Sequence, residues 1–204
     1  MIRNLVKSIV EGAVKPSEAL HDGLALCHSV GNITLYDPSE LAKSPSDPLP
    51  NVSTSYSRIV RASLKYRVKV ANGESFNEVK SAAAKHGYGP IVYDVLLHSG
   101  WTMPDRLSVS HEALRVWKYY TNKRGDVSTK ALPRIFLVSD DDEYSDDELP
   151  LINSAYHLPE LHSEYSELFD AHEDFLRSLH PYHTKSSVES YLSKAGALLF
   201  GDLY

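Results

Sequence analysis

The sequence predicts an α+β fold of three layers: a mixed, mostly antiparallel central sheet flanked by helices, with a helical hairpin at the C-terminal end. Three observations carry this expectation. Val60, Ala62, Leu64, Tyr66, Val68 and Val70 alternate with Arg61, Ser63, Lys65, Arg67 and Lys69 at the period of a β-strand. Ile91 to His98 is an almost unbroken apolar run set between Pro90 and Gly100, the pattern of a short buried helix. The last quarter of the chain carries two apolar stripes at helical spacing.

In chain order, Ile2, Leu5, Val6, Ile9 and Val10 predict an amphipathic helix ended by Gly12. Pro16 suits a first helical position, and Ala19, Leu20, Leu24 and Cys27 continue a second helix towards Gly31. Ile33 to Tyr36 reads as a short strand closed by Asp37 and Pro38. Ser44 to Ser57, interrupted by Pro45, Pro48 and Pro50, reads as a loop. The long alternating strand follows, with one apolar and one basic face, and Asn72-Gly73 turns it into a second strand over Ser75 to Ala83.

After the buried helix, Trp101 to Met103 predicts a strand stopped by Pro104. Ser110 as N-cap, Glu112 in the first turn, Lys123 and Arg124 in the last, and Gly125 beyond them predict a helix over His111 to Arg124. Its buried stripe is Ala113, Leu114, Trp117 and Tyr120. Ile135 to Val138 reads as a strand, and Asp140 to Glu148 as a solvated acidic loop. One tail helix presents Leu161, Tyr165, Leu168, Phe169, His172, Phe175, Leu176 and Leu179, and ends at His180-Pro181. The next, from about Ser186 to Phe200, turns Val188, Tyr191, Leu192, Ala195 and Leu199 inward. The expected organisation is a core over 1–139, an acidic loop over 140–155, and a helical hairpin over 156–204 packed on the core or on a partner.

Composition narrows the function classes. A chain of 204 residues with 42% hydrophobic and 24% charged residues has globular usage. A net charge of −6 argues against a wide nucleic-acid surface. The basic strand face of Arg61, Lys65, Arg67 and Lys69 reads as a solvated sheet surface or an anion-facing groove, and it lacks the interleaved aromatics that stack single-stranded bases. The single cysteine, Cys27, permits no intrachain disulfide and suits a reducing compartment; it reads as a buried helix residue. Met1 to Gly12 lacks the apolar run of a secretory leader, and no segment reaches membrane-spanning length, so a cytoplasmic location without membrane contact is expected. HExxH, GxSxG and Walker-type motifs do not occur, His172-Glu173 lacks a second histidine one turn on, and His180 and His183 flank a proline, so no metal is expected.

The constellation that carries chemistry is Lys85, His86, Gly87, Tyr88, Gly89 and Pro90, at a strand-to-helix junction. Glycines there serve a tight turn, or they point backbone N–H groups into a concavity that the following helix N-terminus completes for a phosphate. With Ala84 before it, the segment resembles the R/Q-x-x-G-x-G/A signature of the GNAT-type acyltransferase superfamily, keeping both glycines and replacing the first position by alanine. The order of elements over residues 32–138 is similar too.

That resemblance implies acetyl-CoA or another acyl-CoA as cofactor, its pyrophosphate held at Lys85 to Pro90, and acyl transfer to an amine acceptor. It implies that Tyr120, or Tyr119 beside it, protonates the departing thiolate, and that Glu74 or Glu78 serves as base. Asp105 and Arg106 either orient a polar acceptor or pair with each other. GYGP, MPDR and SVS-x-x-A-x-x-VW-x-YY-x-x-KR also resemble segments from large bacteriophages, which implies work in the host cytoplasm or in the virion. The other expectation is a GNAT-like scaffold without catalysis, whose aromatic tail hairpin docks a host or virion protein or a second copy of the chain.

Overall fold

The computed structural model describes residues 12–42, 49, 52–107, 109–138, 144–179 and 183–201. The expected helix over Ile2 to Val10 and the His180-Pro181 stop lie outside them. Among the described residues the chain is α+β, with a seven-stranded open sheet and eight α-helices. The elements run α1 (Pro16–His21), β1 (Ala25–Ser29), β2 (Asn32–Tyr36), α2 (Pro38–Leu41), α3 (Val52–Ile59), β3 (Val60–Ala71) and β4 (Glu74–Ala84). They continue with α4 (Gly89–Ser99), β5 (Thr102–Met103), α5 (His111–Asn122), β6 (Ser128–Ala131), a 3-10 turn (Arg134–Phe136), α6 (Leu149–Ile152), β7 (Ser154–His157), α7 (Glu164–Leu179) and α8 (Lys185–Gly201). The strand order is β1-β2-β3-β4-β5-β7-β6. β4 pairs with β5 in parallel, at Asn77↔Thr102 and Glu78↔Met103, whereas β1/β2, β2/β3, β5/β7 and β6/β7 are antiparallel.

Two compact units share the chain: residues 1–65, 81–93 and 162–204 form the first, and residues 66–80 and 94–161 the second. In the first, α7 packs on β1 and α8 packs on α3. Their buried residues, Phe175, Leu179, Val188, Tyr191, Leu192 and Ala195, form one core with Ala25, Cys27, Tyr36 and Ile59. α8 approaches β3 so closely that a Cβ at Gly196 would stand 2.8 Å from Ser63 Cβ and 2.2 Å from its Oγ. Ser63 closes a buried triad with Asn32 and Thr34, in which Asn32 Nδ2 donates to Thr34 Oγ1 at 2.7 Å and Ser63 Oγ to Asn32 Oδ1 at 3.3 Å. In the second unit, Phe76, Met103, Leu132, Phe136 and Ala155 form a separate core.

Several expectations hold. Asn72 (φ 55) and Gly73 (φ 79) make the tight turn between β3 and β4, both in the left-handed region such a turn requires. Ser110 Oγ caps α5 by accepting from the Ala113 N–H at 3.2 Å.

Others are corrected. The helix beginning at Pro16 ends at His21, because Ala25 to Ser29 forms a hairpin with β2 through Val30-Gly31, and Cys27 is a strand residue. The second half of the expected Ser44–Ser57 loop is helical, since Ile59 and Tyr56 pack into the core that α8 builds. On β3, Val60, Ala62 and Leu64 are buried as predicted, but Ser63 on the opposite face is buried too, under α8, so the two-faced pattern already fails before Leu64. Beyond it Val68 and Val70 are exposed, while Arg67 and Lys69 turn to a buried carboxylate. Ile135 to Val138 is not a strand: Arg134–Phe136 coils as a 3-10 turn that buries Phe136 against Phe76. The strands of that region are β6 and β7, and β7 begins inside the segment expected to be an acidic loop.

Candidate functional site

The glycine turn lies in the first unit, where β4 ends and α4 begins. The Lys85 N–H donates to Arg61 O at 2.7 Å, and the Tyr88 N–H to Lys85 O at 3.2 Å, closing the turn against the start of β3. Gly87 has φ 80, and a Cβ there would stand 2.5 Å from Gly12 O, so glycine is required both by conformation and by close approach. The Val14 N–H donates to Gly87 O at 3.0 Å, tying residues 12–14 to the turn. Gly89 begins α4 without a positive φ and is buried, as is Pro90. His86 is exposed, and Tyr88 donates its hydroxyl to Asp22 Oδ2 at 3.0 Å. Gly87 thus serves a tight turn, while Gly89 and Pro90 shape the helix start.

Two cations, Lys85 and Arg61, interact near this turn. Burial, then the Arg61 guanidinium, lower the Lys85 ammonium below its ordinary value, with Asp37 opposing. Its Nζ is held by Ser57 O, and Arg61 pairs with Asp37 at 3.1 Å. The first-turn N–H groups of α4 have no partner within the helix and carry its positive dipole end.

Tyr119 and Tyr120 belong to the second unit, on α5. Tyr120 is 1% exposed, and its hydroxyl donates to Asp94 Oδ1 at 2.8 Å. Arg124 grips both oxygens of Asp94 at 3.0 Å, reaches Asp126 at 2.7 Å, and lies 5.6 Å over the Tyr120 ring. This network fastens α4 to the end of α5, and it uses the Tyr120 proton. Tyr119 is partly exposed and meets the Tyr120 ring edge-on.

The two glutamates weighed as a base are both engaged. Glu78, with a fully buried side chain, accepts from Arg67 Nε and from the Arg106 N–H at 2.9 Å, with Lys69 at 3.2 Å and Lys80 at 3.8 Å. Burial raises its carboxyl, but the hydrogen bonds from Arg67, Arg106 and Lys69 outweigh burial and hold it below the usual range. A carboxylate so stabilised is a poor proton acceptor near neutral pH. Glu74 is exposed and pairs with Lys130. Asp105 and Arg106 do not pair with each other: Asp105 takes Lys80, while the half-buried Arg106 guanidinium donates to Pro104 O, Phe136 O and Ile152 O. Desolvation lowers Arg106 to about 10, and its carbonyl ring makes it a structural tie.

The sequence reading passed over a second cluster in the first unit. Cys27 on β1, Tyr36 on β2, His172 on α7 and Glu189 on α8 converge, and Tyr36 Oη lies 2.8 Å from His172 Nδ1. These residues are far apart in the chain and form no local motif; the only signal was a histidine inside an otherwise apolar helical stripe. Compared with protein-family models, curated proteins and solved structures, the chain matches none.

Proposed function

We propose that this chain binds acyl-CoA through its pyrophosphate at the Lys85 to Pro90 turn, and passes the acyl group to an amine. One observation carries the reading: β4 runs through a glycine turn into the helix α4, and β5 beyond it lies parallel beside β4. The carboxyl end of a strand in a parallel pair, continuing into a helix N-terminus, is the usual position for a phosphate-bearing ligand. The element order accords with the GNAT-type resemblance, and Lys85 with Arg61 supplies cations where Ala84 replaces the signature's Arg or Gln. In this reading Tyr120 is a structural residue, and the departing thiolate takes its proton from water. Rate enhancement then comes mainly from holding thioester and amine in line.

A second reading is favoured by the sequestered Tyr120 hydroxyl: a scaffold that keeps the anion site without catalysis and docks a host or virion protein. Isothermal titration with acetyl-CoA, paired with a thiol-release assay over an amine panel, separates the two. Micromolar binding weakened at least tenfold by Lys85→Glu, with thiol release, supports the transferase. The same binding without release supports the silent scaffold, and no binding of acetyl- or longer acyl-CoA refutes both versions of the anion site.

A further inference from the structure

We infer that Cys27, His172 and Glu189 form a zinc-binding site within the first unit, with Tyr36 positioning the histidine. Their ligating atoms, contributed by β1, α7 and α8, all lie within 4.8 Å of one another. Cys27 is 1% and His172 4% exposed, whereas Glu189 is partly exposed and gives the site a route to solvent. An independent feature points to a ligand: Nε2 of His172 is buried with no hydrogen-bond partner among the described residues. Buried ring nitrogens are seldom left unpaired. The other nitrogen, Nδ1, is the one that Tyr36 engages at 2.8 Å, with the rings edge-on at 5.8 Å between centroids. When Nδ1–H donates to the Tyr36 oxygen, Nε2 presents its lone pair, which is how outer-shell partners orient ligating imidazoles.

One sulfur, one imidazole nitrogen and one carboxylate oxygen are the donor set of zinc, a borderline-soft ion. Tetrahedral zinc holds such donors about 3.3–3.8 Å apart, so the set contracts by up to roughly 1 Å on loading. A fourth position remains for water or another small ligand. Burial, then the Glu189 carboxylate, push the Cys27 thiol up to about 12, with Lys185 opposing and Glu173 adding. Burial lowers His172 below its ordinary value. Cysteine ligates as the thiolate, so metal uptake displaces the thiol proton of Cys27.

The test uses the tag-free full chain, stripped with chelator and titrated with Co2+, then Zn2+. Expected are one equivalent of Co2+ per chain with a thiolate-to-cobalt charge-transfer band, displacement of that band by Zn2+, and release of about one proton per chain on loading. Cys27→Ser abolishes the band, Glu189→Ala weakens Zn2+ at least roughly 100-fold, and Tyr36→Phe weakens it roughly 10- to 100-fold. Glu189→Ala, on a partly exposed helix position, stays folded by circular dichroism and keeps the test decisive if the Cys27 variant does not fold. No saturable Co2+ binding, or a Zn2+ affinity unchanged in Glu189→Ala, overturns the site.

Discussion

Replacing Glu78 by glutamine keeps the shape of the side chain and removes its charge. The amide oxygen still accepts from the Arg106 N–H, but its NH2 then confronts Arg67 and Lys69, donors against a donor. Removing one partner of a fully buried ion pair costs about 3–5 kcal/mol. Here Arg67, Lys69 and Lys80 keep 48%, 27% and 26% of their side chains exposed, so water takes up part of the loss. The expected destabilisation is about 2–3 kcal/mol, which for a chain of this size lowers Tm by roughly 4–12 °C. Its pH dependence has a definite sign. The folded carboxyl lies below its ordinary value, so its contribution is complete above the unfolded pKa and is lost as pH falls through the folded one. Urea unfolding of both proteins should give a constant gap from about pH 5 upward, closing in more acidic buffer. A gap under about 1 kcal/mol at pH 7, or one that widens on acidification, refutes the assignment of Glu78 as the anchor of these cations.

Two further outcomes follow from the packing. Gly196→Ala, which by helix propensity alone stabilises by up to about 1 kcal/mol, should instead destabilise by about 1–3 kcal/mol, because the new methyl meets Ser63 Cβ; a raised Tm contradicts the close approach. Tyr120→Phe should cost about 1–2 kcal/mol while leaving acetyl-CoA affinity and the rate of thiol release unchanged, since Arg124 still holds Asp94; a fall in rate at unchanged Tm returns Tyr120 to the chemistry.

What the sequence made legible was local. The Asn72-Gly73 turn, the Ser110 cap, the Pro90-to-Gly100 helix and the tail stripes each depend on residues close in the chain, and each stands where it was expected. The misses have long-range causes. Cys27 continues a helical stripe with Leu20 and Leu24, and the pairing of β1 with β2 overrode that local pattern. Ser128–Ala131 carries no apolar alternation because it is a short edge strand, with Lys130 pairing Glu74 and lying 4.1 Å over the Trp101 ring. At the glycine turn the sequence located the junction, but not residues 12–14 that fix Gly87. The Cys27, His172 and Glu189 cluster was invisible to motif reading, since its members stand on three elements with no fixed spacing.

The contact of Gly196 with Ser63 acts as a register key. Seven residues separate Gly196 from Glu189, two helical turns and about 10.5 Å along α8, so both project to nearly the same side. Sliding or rotating α8 by one residue would bring Ala195 or Ala197 against Ser63, and the methyl group would lift the helix from the strand. A glycine with no chemistry of its own therefore sets the height at which a carboxylate two turns away meets Cys27 and His172. Enlargement at 196 is therefore accommodated only by reduction at 63, whereas enlargement at 63 has no compensation at 196, because glycine is already the smallest residue.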